Sequence, residues 1–166
     1  MEKLWAIWRV AYIKIASKQE GCIFCELPAM KKDDENFILL RSEHAFLMLN
    51  RFPYNPGHLM IAPYRHLGSL EDLKDIEVRD IWRILKLSIK ALKETMSPDG
   101  FNIGINIGRV AGAGFEGHVH VHIVPRWNGD TNFMPVVAET KVISESLESV
   151  YRELKKAIER IREENA

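Results

Sequence analysis

The spacing of apolar and polar residues along the chain changes period several times, and each change marks an element. Short apolar runs at Phe37–Leu40, Ala45–Leu49 and His58–Ala62, bounded by Ser42-Glu43 and Asn55-Pro56-Gly57, predict successive strands. Leu73, Ile81, Leu85, Ile89, Leu92 and Met96 then recur at the spacing of one helical face. Ser69-Leu70-Glu71-Asp72 is the expected start of that helix, because Ser69 can accept an orphan backbone N–H and acidic groups suit a first turn. Ser97-Pro98-Asp99-Gly100 predicts its end. Phe101, Ile103, Ile105 and Ile107 alternate with Asn102, Gly104, Asn106 and Gly108, the period of a half-buried strand. A glycine-rich loop at 112–117 leads into a second alternating run, His118–Pro125. From Ser144 to Asn165, Leu147, Val150, Tyr151, Leu154, Ile158 and Ile161 form the stripe of an amphipathic helix. Residues 4–16, with Trp5 and Trp8, predict a packed arm or helix. Strands first, then one long helix, then strands again favour an α+β fold with an antiparallel sheet over repeated βαβ units.

Composition narrows this picture. A chain of 166 residues with 46% hydrophobic content has the size and apolar share of one domain with a real core. With no repeat or flexible linker, the expected organisation is an arm at 1–20, a core at 21–135 and a helical tail at 144–166. Lys+Arg and Asp+Glu both number 23, so no charge excess argues for gripping a nucleic-acid backbone. No apolar run is long enough to span a membrane. The start, Met1-Glu2-Lys3-Leu4-Trp5, lacks the apolar stretch and cleavage site of a signal peptide. Two cysteines three positions apart, Cys22 and Cys25, do not make a disulfide framework. The expected setting is the reducing cytoplasm.

Three of the six histidines stand at His118, His120 and His122. On a strand they would line one face over roughly 13 Å, while Val119, Val121 and Ile123 point to the core. Two chemistries fit that row. The histidines could bind a catalytic metal, since His-x-His on a strand is a workable zinc pair. Alternatively one imidazole attacks phosphorus, because its ordinary pKa leaves it neutral and nucleophilic near pH 7. Gly112, Gly114 and Gly117 alongside would let backbone N–H groups approach anionic oxygens, which favours the second. A distinct class of function, a nucleotide-binding module without turnover, is opposed by the intact row.

His118-Val119-His120-Val121-His122-Ile123-Val124 resembles the signature of the histidine triad (HIT) family, in which histidines alternate with apolar residues. The resemblance extends upstream through Cys22-Ile23-Phe24-Cys25, residues 45–50 and Asn55-Pro56-Gly57-His58-Leu59-Met60-Ile61. Downstream it runs through Pro125-Arg126-Trp127-Asn128-Gly129-Asp130. It covers about residues 20–135. Within the family, residues 4–9, 52–58 and 125–127 look most like the diadenosine tetraphosphate phosphorylases, which convert that dinucleotide plus phosphate into ADP and ATP.

The resemblance implies roles. His120 attacks the α-phosphorus to form a covalent nucleotidyl-histidine, which water or inorganic phosphate then discharges. His122 faces the phosphate, Asn106 matches an amide that contacts phosphate, and Asn50 matches a ribose contact. His58 matches a position that supports the triad. The other family activities, a hydrolase or an AMP-releasing phosphoramidase, stay open. Many hydrolase members carry a glutamine four residues before the first triad histidine, where this chain has Gly114. The space so left could admit inorganic phosphate, held by the N–H groups of Ala113 and Gly114. Trp127 is positioned to stack on a base, unless it is a core residue. Cys22 and Cys25 alone are half of a zinc site, or two ordinary buried thiols. Similarity to zinc-carrying relatives implies His66 and His118 as the other ligands of a closed, structural zinc. No organic cofactor is expected. The partners implied are an adenosine nucleotide and, as in most relatives, a second copy of the chain.

Overall fold

The computed structural model describes residues 21–131 and 145–164. The expected arm at 4–16 lies outside them. α1 (Ile23–Ala29) precedes β1 (Ile38–Arg41), β2 (Ala45–Leu49) and β3 (Leu59–Pro63). The long α2 (Asp75–Met96) follows, then β4 (Gly100–Ile105), a 3-10 turn at Arg109–Ala111, β5 (Val121–Arg126) and α3 (Leu147–Glu164). The five strands form one antiparallel sheet in the order β1-β2-β3-β5-β4. The α+β expectation, with an antiparallel sheet, a long central helix and a C-terminal helix, holds.

One face of the sheet packs against α2 and α3. Leu47, Leu49, Leu59, Ile61 and Ile123 meet Ile84, Leu85 and Leu92 of α2, with Leu154 and Ile158 of α3 beside them. Each such side chain contributes on the order of 1.5–3 kcal/mol by leaving water. The C-terminal helix therefore buries its apolar stripe in its own domain. Phe24, Ile38, Phe46, Met48, Met60 and Ala62 form a smaller cluster, partly under α1. Residues two apart share a face, so the partners Met48, Met60 and His122 assign this second face to the triad side.

The long helix starts later than expected, at Asp75 rather than near Ser69. Its first turn is capped by Glu77, whose carboxylate accepts the Lys74 N–H at 2.8 Å, whereas the Ser69 hydroxyl contacts Glu71. Two buried carboxylates on the α2 core stripe break the simple apolar pattern. Asp80 accepts hydrogen bonds from the Ser42 hydroxyl (2.6 Å) and from the His44 and Ala45 N–H groups (2.8 and 3.2 Å), so it fastens the β1–β2 turn to the helix. Glu77 receives a two-pronged bond from Arg65 (2.7 and 2.6 Å), which ties the segment after β3 to the helix start. Gly57, at φ +75°, completes the turn into β3; a Cβ there would lie 2.7 Å from Met96 Sδ and 3.0 Å from Leu92. No helix among the described residues is long and apolar enough to cross a membrane.

The Arg65 hydrogen bonds hold the Glu77 carboxyl down at about 2, against an ordinary 4.5. A lowered carboxyl pKa contributes stability that is complete above about pH 4.5 and is lost as the pH falls toward 2. Denaturant unfolding across that window should show a falling stability that Glu77→Gln flattens; an unchanged slope in the variant contradicts the assignment.

Candidate active site

β5 begins at Val121, three residues later than the alternation predicts, so His118 and His120 precede the ladder. The reason is Pro63. The β3–β5 register pairs Ile61 with Val121, and two residues on it would pair Pro63, which has no N–H, with Val119. Other acceptors replace that pairing. The Val119 N–H donates to the Leu67 carbonyl at 2.7 Å, and the His118 ring Nε2 donates to the Pro63 carbonyl at 2.9 Å. The three rings nonetheless gather on one side: His118 and His120 lie 5.3 and 4.5 Å from the Phe24 ring, and His120 and His122 are 4.7 Å apart.

Hydrogen-bond partners define the tautomers, because a carbonyl only accepts and a backbone N–H only donates. His120 Nδ1 sits 2.9 Å from the His118 carbonyl, so the proton is on Nδ1 and the Nε2 lone pair is available. Burial holds His120 below the ordinary imidazole range, with the His118 carbonyl opposing the drop, so the ring is neutral at pH 7. His58 is fully buried, and its Nδ1 accepts the Tyr54 N–H at 3.2 Å. Its proton is therefore on Nε2 and donates to His122 Nδ1 at 3.0 Å. That leaves His122 protonated on Nε2, a donor suited to an anionic oxygen. Tyr54 also stacks on His58, with centroids 4.8 Å apart and planes 17° apart.

Gly104 lies opposite His122 in the β4–β5 ladder, and a Cβ there would meet nothing within 4 Å. The ground beside His122 is open. Continuing that register sets Asn106 opposite His120, on the same face as Gly104. The Asn106 amide nitrogen points back toward Gly112, 3.9 Å from where a Cβ on that residue would stand. Asn50 follows β2; its Oδ1 accepts the Phe52 N–H (2.8 Å), and its Nδ2 faces His58 Nδ1 (3.4 Å). Ala113 is buried and its N–H donates to the Gly108 carbonyl at 3.3 Å, so of the pair expected to hold an anion, Ala113 already has a backbone acceptor. Trp127 is half-buried, its indole N–H donating to the Met96 carbonyl at the end of α2 (3.2 Å).

Cys22, Cys25, His66 and His118 converge, with ligand atoms all within 4.8 Å of one another. Cys22 caps α1, whose first turn brings Cys25 round to the same side. His118 Nδ1 lies 3.3 and 3.5 Å from the two sulfurs, and His66 Nδ1 lies 3.4 Å from Cys25 Sγ. A tetrahedral zinc with Zn–S about 2.3 Å and Zn–N about 2.0 Å has sulfur–nitrogen edges of about 3.5 Å. The tetrad thus fits a zinc site. The Pro63 carbonyl supplies the outer hydrogen bond that orients a metal-bound histidine, leaving the Nδ1 lone pair for the ion. Burial pushes the Cys25 thiol up to about 11, with Cys22 adding to the rise, so a bound cation would displace the thiol proton.

The HIT domain family model matches residues 31–129. The chain is also 37% identical over 160 residues to the AP-4-A phosphorylase of Mycobacterium tuberculosis, covering 92% of this chain and 82% of that protein. The chain belongs to the HIT family. Among other HIT relatives, the bis(5'-adenosyl)-triphosphatase of Dictyostelium discoideum is 34% identical over 89 residues, which is 54% of this chain and 59% of that one. A solved zinc-bound histidine triad family protein from Mycobacterium smegmatis shares the fold, with a TM-score of 0.69 at 24% identity, covering 87% and 97% of the two chains.

Three members of this HIT site escape reading along the chain: Phe24 against His120, Tyr54 over His58, and Gly104 beside His122. Each takes its place from register or packing between distant segments. The one sequence signal was at Gly104, a glycine on the polar side of an alternating strand two residues before Asn106.

Proposed function

We propose that this chain transfers a nucleotidyl group from dinucleoside polyphosphates through a covalent His120 intermediate, with diadenosine tetraphosphate and inorganic phosphate as substrates and ADP plus ATP as products. The observation that carries the reading is the His120 tautomer: Nδ1 is held by the His118 carbonyl, leaving a neutral Nε2 lone pair beside the open ground at Gly104. The name of the Mycobacterium tuberculosis relative supports the substrate class.

In the first step the His120 Nε2 lone pair forms a bond to the α-phosphorus, and the bond from phosphorus to the bridging oxygen breaks, its electrons leaving with the departing nucleotide. His122 donates from Nε2 to a phosphate oxygen where negative charge builds. In the second step an oxygen of inorganic phosphate attacks the same phosphorus and His120 departs. Asn106 holds the phosphate, Asn50 the ribose, and Trp127 stacks on a base. His58 positions His122. Gly114, where hydrolase members carry glutamine, leaves room for phosphate, with its N–H as a contact. Cys22, Cys25, His66 and His118 would hold a zinc ion whose role is structural, since all four ligands would come from the protein. The thiol ligands fit a reducing compartment, the cytoplasm.

For a second copy of the chain, the C-terminal helix offers no apolar face. The apolar stripe of α3 is buried. A groove of about 490 Å³ between α2 and β4, with Trp82 64% and Ile103 45% exposed at its rim, is the face we assign to a second copy. Light scattering should give a dimer that Trp82→Glu converts to monomer; a monomeric wild type contradicts this.

Diadenosine tetraphosphate should yield ADP plus ATP only when phosphate is present, and His120→Ala should abolish turnover while still binding nucleotide. AMP plus ATP, independent of phosphate, makes the chain a hydrolase, and preferential release of AMP from phosphoramidates makes it a phosphoramidase. Full turnover by His120→Ala sinks the nucleophile. For the metal, elemental analysis should find one zinc per chain, lost with Cys25→Ser together with a lower unfolding temperature. Purified protein without zinc, equally stable in the variant, contradicts the tetrad.

A further inference from the structure

The loop that joins β4 to the triad is closed by its own backbone. Ala111 and Ala113 N–H groups both donate to the Gly108 carbonyl (3.2 and 3.3 Å), and the Gly112 N–H donates to the Arg109 carbonyl (3.0 Å). The N–H groups of Ala111, Gly112 and Ala113 are therefore already engaged, which leaves Gly114 of this loop for an anion. A polyphosphate carries several negative charges, and this chain has no net charge to attract it. Long-range attraction of those charges calls for a local cation.

The arginines around the triad are nearly all committed. Arg51 donates to the Glu35 carbonyl (2.6 Å), Arg65 is paired with Glu77 (2.6 Å), and Arg126 with Asp130, whose carboxyl it holds far below the ordinary range. Arg109 differs. It is exposed, and its guanidinium makes no hydrogen bond or ion pair with any described residue. It opens the 3-10 turn three residues after Asn106, and Gly108 (φ +75°) and Gly112 (φ +90°) fold that turn back toward the Asn106 amide. A guanidinium side chain from this turn has the length to cover the mouth of the site, and it recognises phosphate oxygens in pairs.

We propose that Arg109 is the specificity residue for the phosphates beyond the α-phosphate, binding the distal part of a polyphosphate chain at the mouth of the site. This rests on the nucleotidyl-transfer reading and adds what selects a polyphosphate over a nucleoside monophosphate. AMP occupies the triad end alone, whereas ATP extends past it to Arg109.

Equilibrium titration of the full chain with AMP and with ATP tests this in wild type, Arg109→Ala and Arg109→Lys. Arg109→Ala should weaken ATP binding by about tenfold and leave AMP binding within about twofold. Arg109→Lys should recover part of the loss, and ATP affinity should depend less steeply on salt in Arg109→Ala than in wild type. An exposed side chain without contacts leaves the unfolding temperature unchanged, which serves as the folding control. Equal losses for AMP and ATP, or no loss for ATP, overturn the assignment of Arg109 while leaving the nucleotide reading intact. A wild type that binds neither nucleotide overturns both.

Discussion

His118 is held at two points, and the geometry of the site depends on both. Its ring reaches the Pro63 carbonyl with one nitrogen and the Cys22–Cys25 pair with the other. Its backbone carbonyl, in turn, accepts the Nδ1 proton of His120. One residue thus couples the cysteine–histidine tetrad to the proton position on the proposed nucleophile. If the His118 backbone rotates, His120 loses the acceptor that keeps its proton on Nδ1. A second relay of the same kind runs from the Tyr54 N–H through His58 to His122. Neither relay needs a carboxylate: backbone groups set the state of His118, His120 and His58, and His58 sets that of His122.

The sheet makes these contacts reproducible. β5 lies between β3 and β4, so His122 has Met60 on one side and Gly104 on the other. The first neighbour is buried and the second has no side chain, so among the described residues the β4 side of His122 is open. Helix α2 stabilises this arrangement through its buried carboxylates as well as its apolar stripe. Asp80 fastens the β1–β2 turn, and Glu77 fastens Arg65, the residue before His66 of the cysteine–histidine tetrad. Burying a carboxylate is costly unless its oxygens are satisfied, and both are.

Much of this was legible in the sequence because it depends on local periodicity. β2 matches the expected run, β1 and β3 are displaced by a residue, and α2 ends at the Ser-Pro-Asp-Gly stretch as expected, with Ser97 in the left-handed conformation. What could not be read depends on long-range partners. Ser69 looked like a cap, yet Glu77 reaches the Lys74 N–H and is itself aimed by Arg65. Alternation extended the triad strand back to His118, but the missing N–H of Pro63, about 55 residues away, ends the ladder early. Family likeness implies Cys22, Cys25, His66 and His118 as a set, and only the folded chain brings their ligand atoms within 4.8 Å of one another. Nothing local reveals that Gly108 folds back on Ala113 and takes its N–H.

The central claim is that the His118 carbonyl fixes the His120 proton on Nδ1 and so leaves Nε2 as the attacking atom. Long-range proton–nitrogen correlation spectra of the histidine rings read this directly. The account predicts a neutral His120 protonated at Nδ1, with His58 and His122 both protonated at Nε2, at neutral pH. A His120 ring protonated at Nε2, or charged at pH 7, would contradict it.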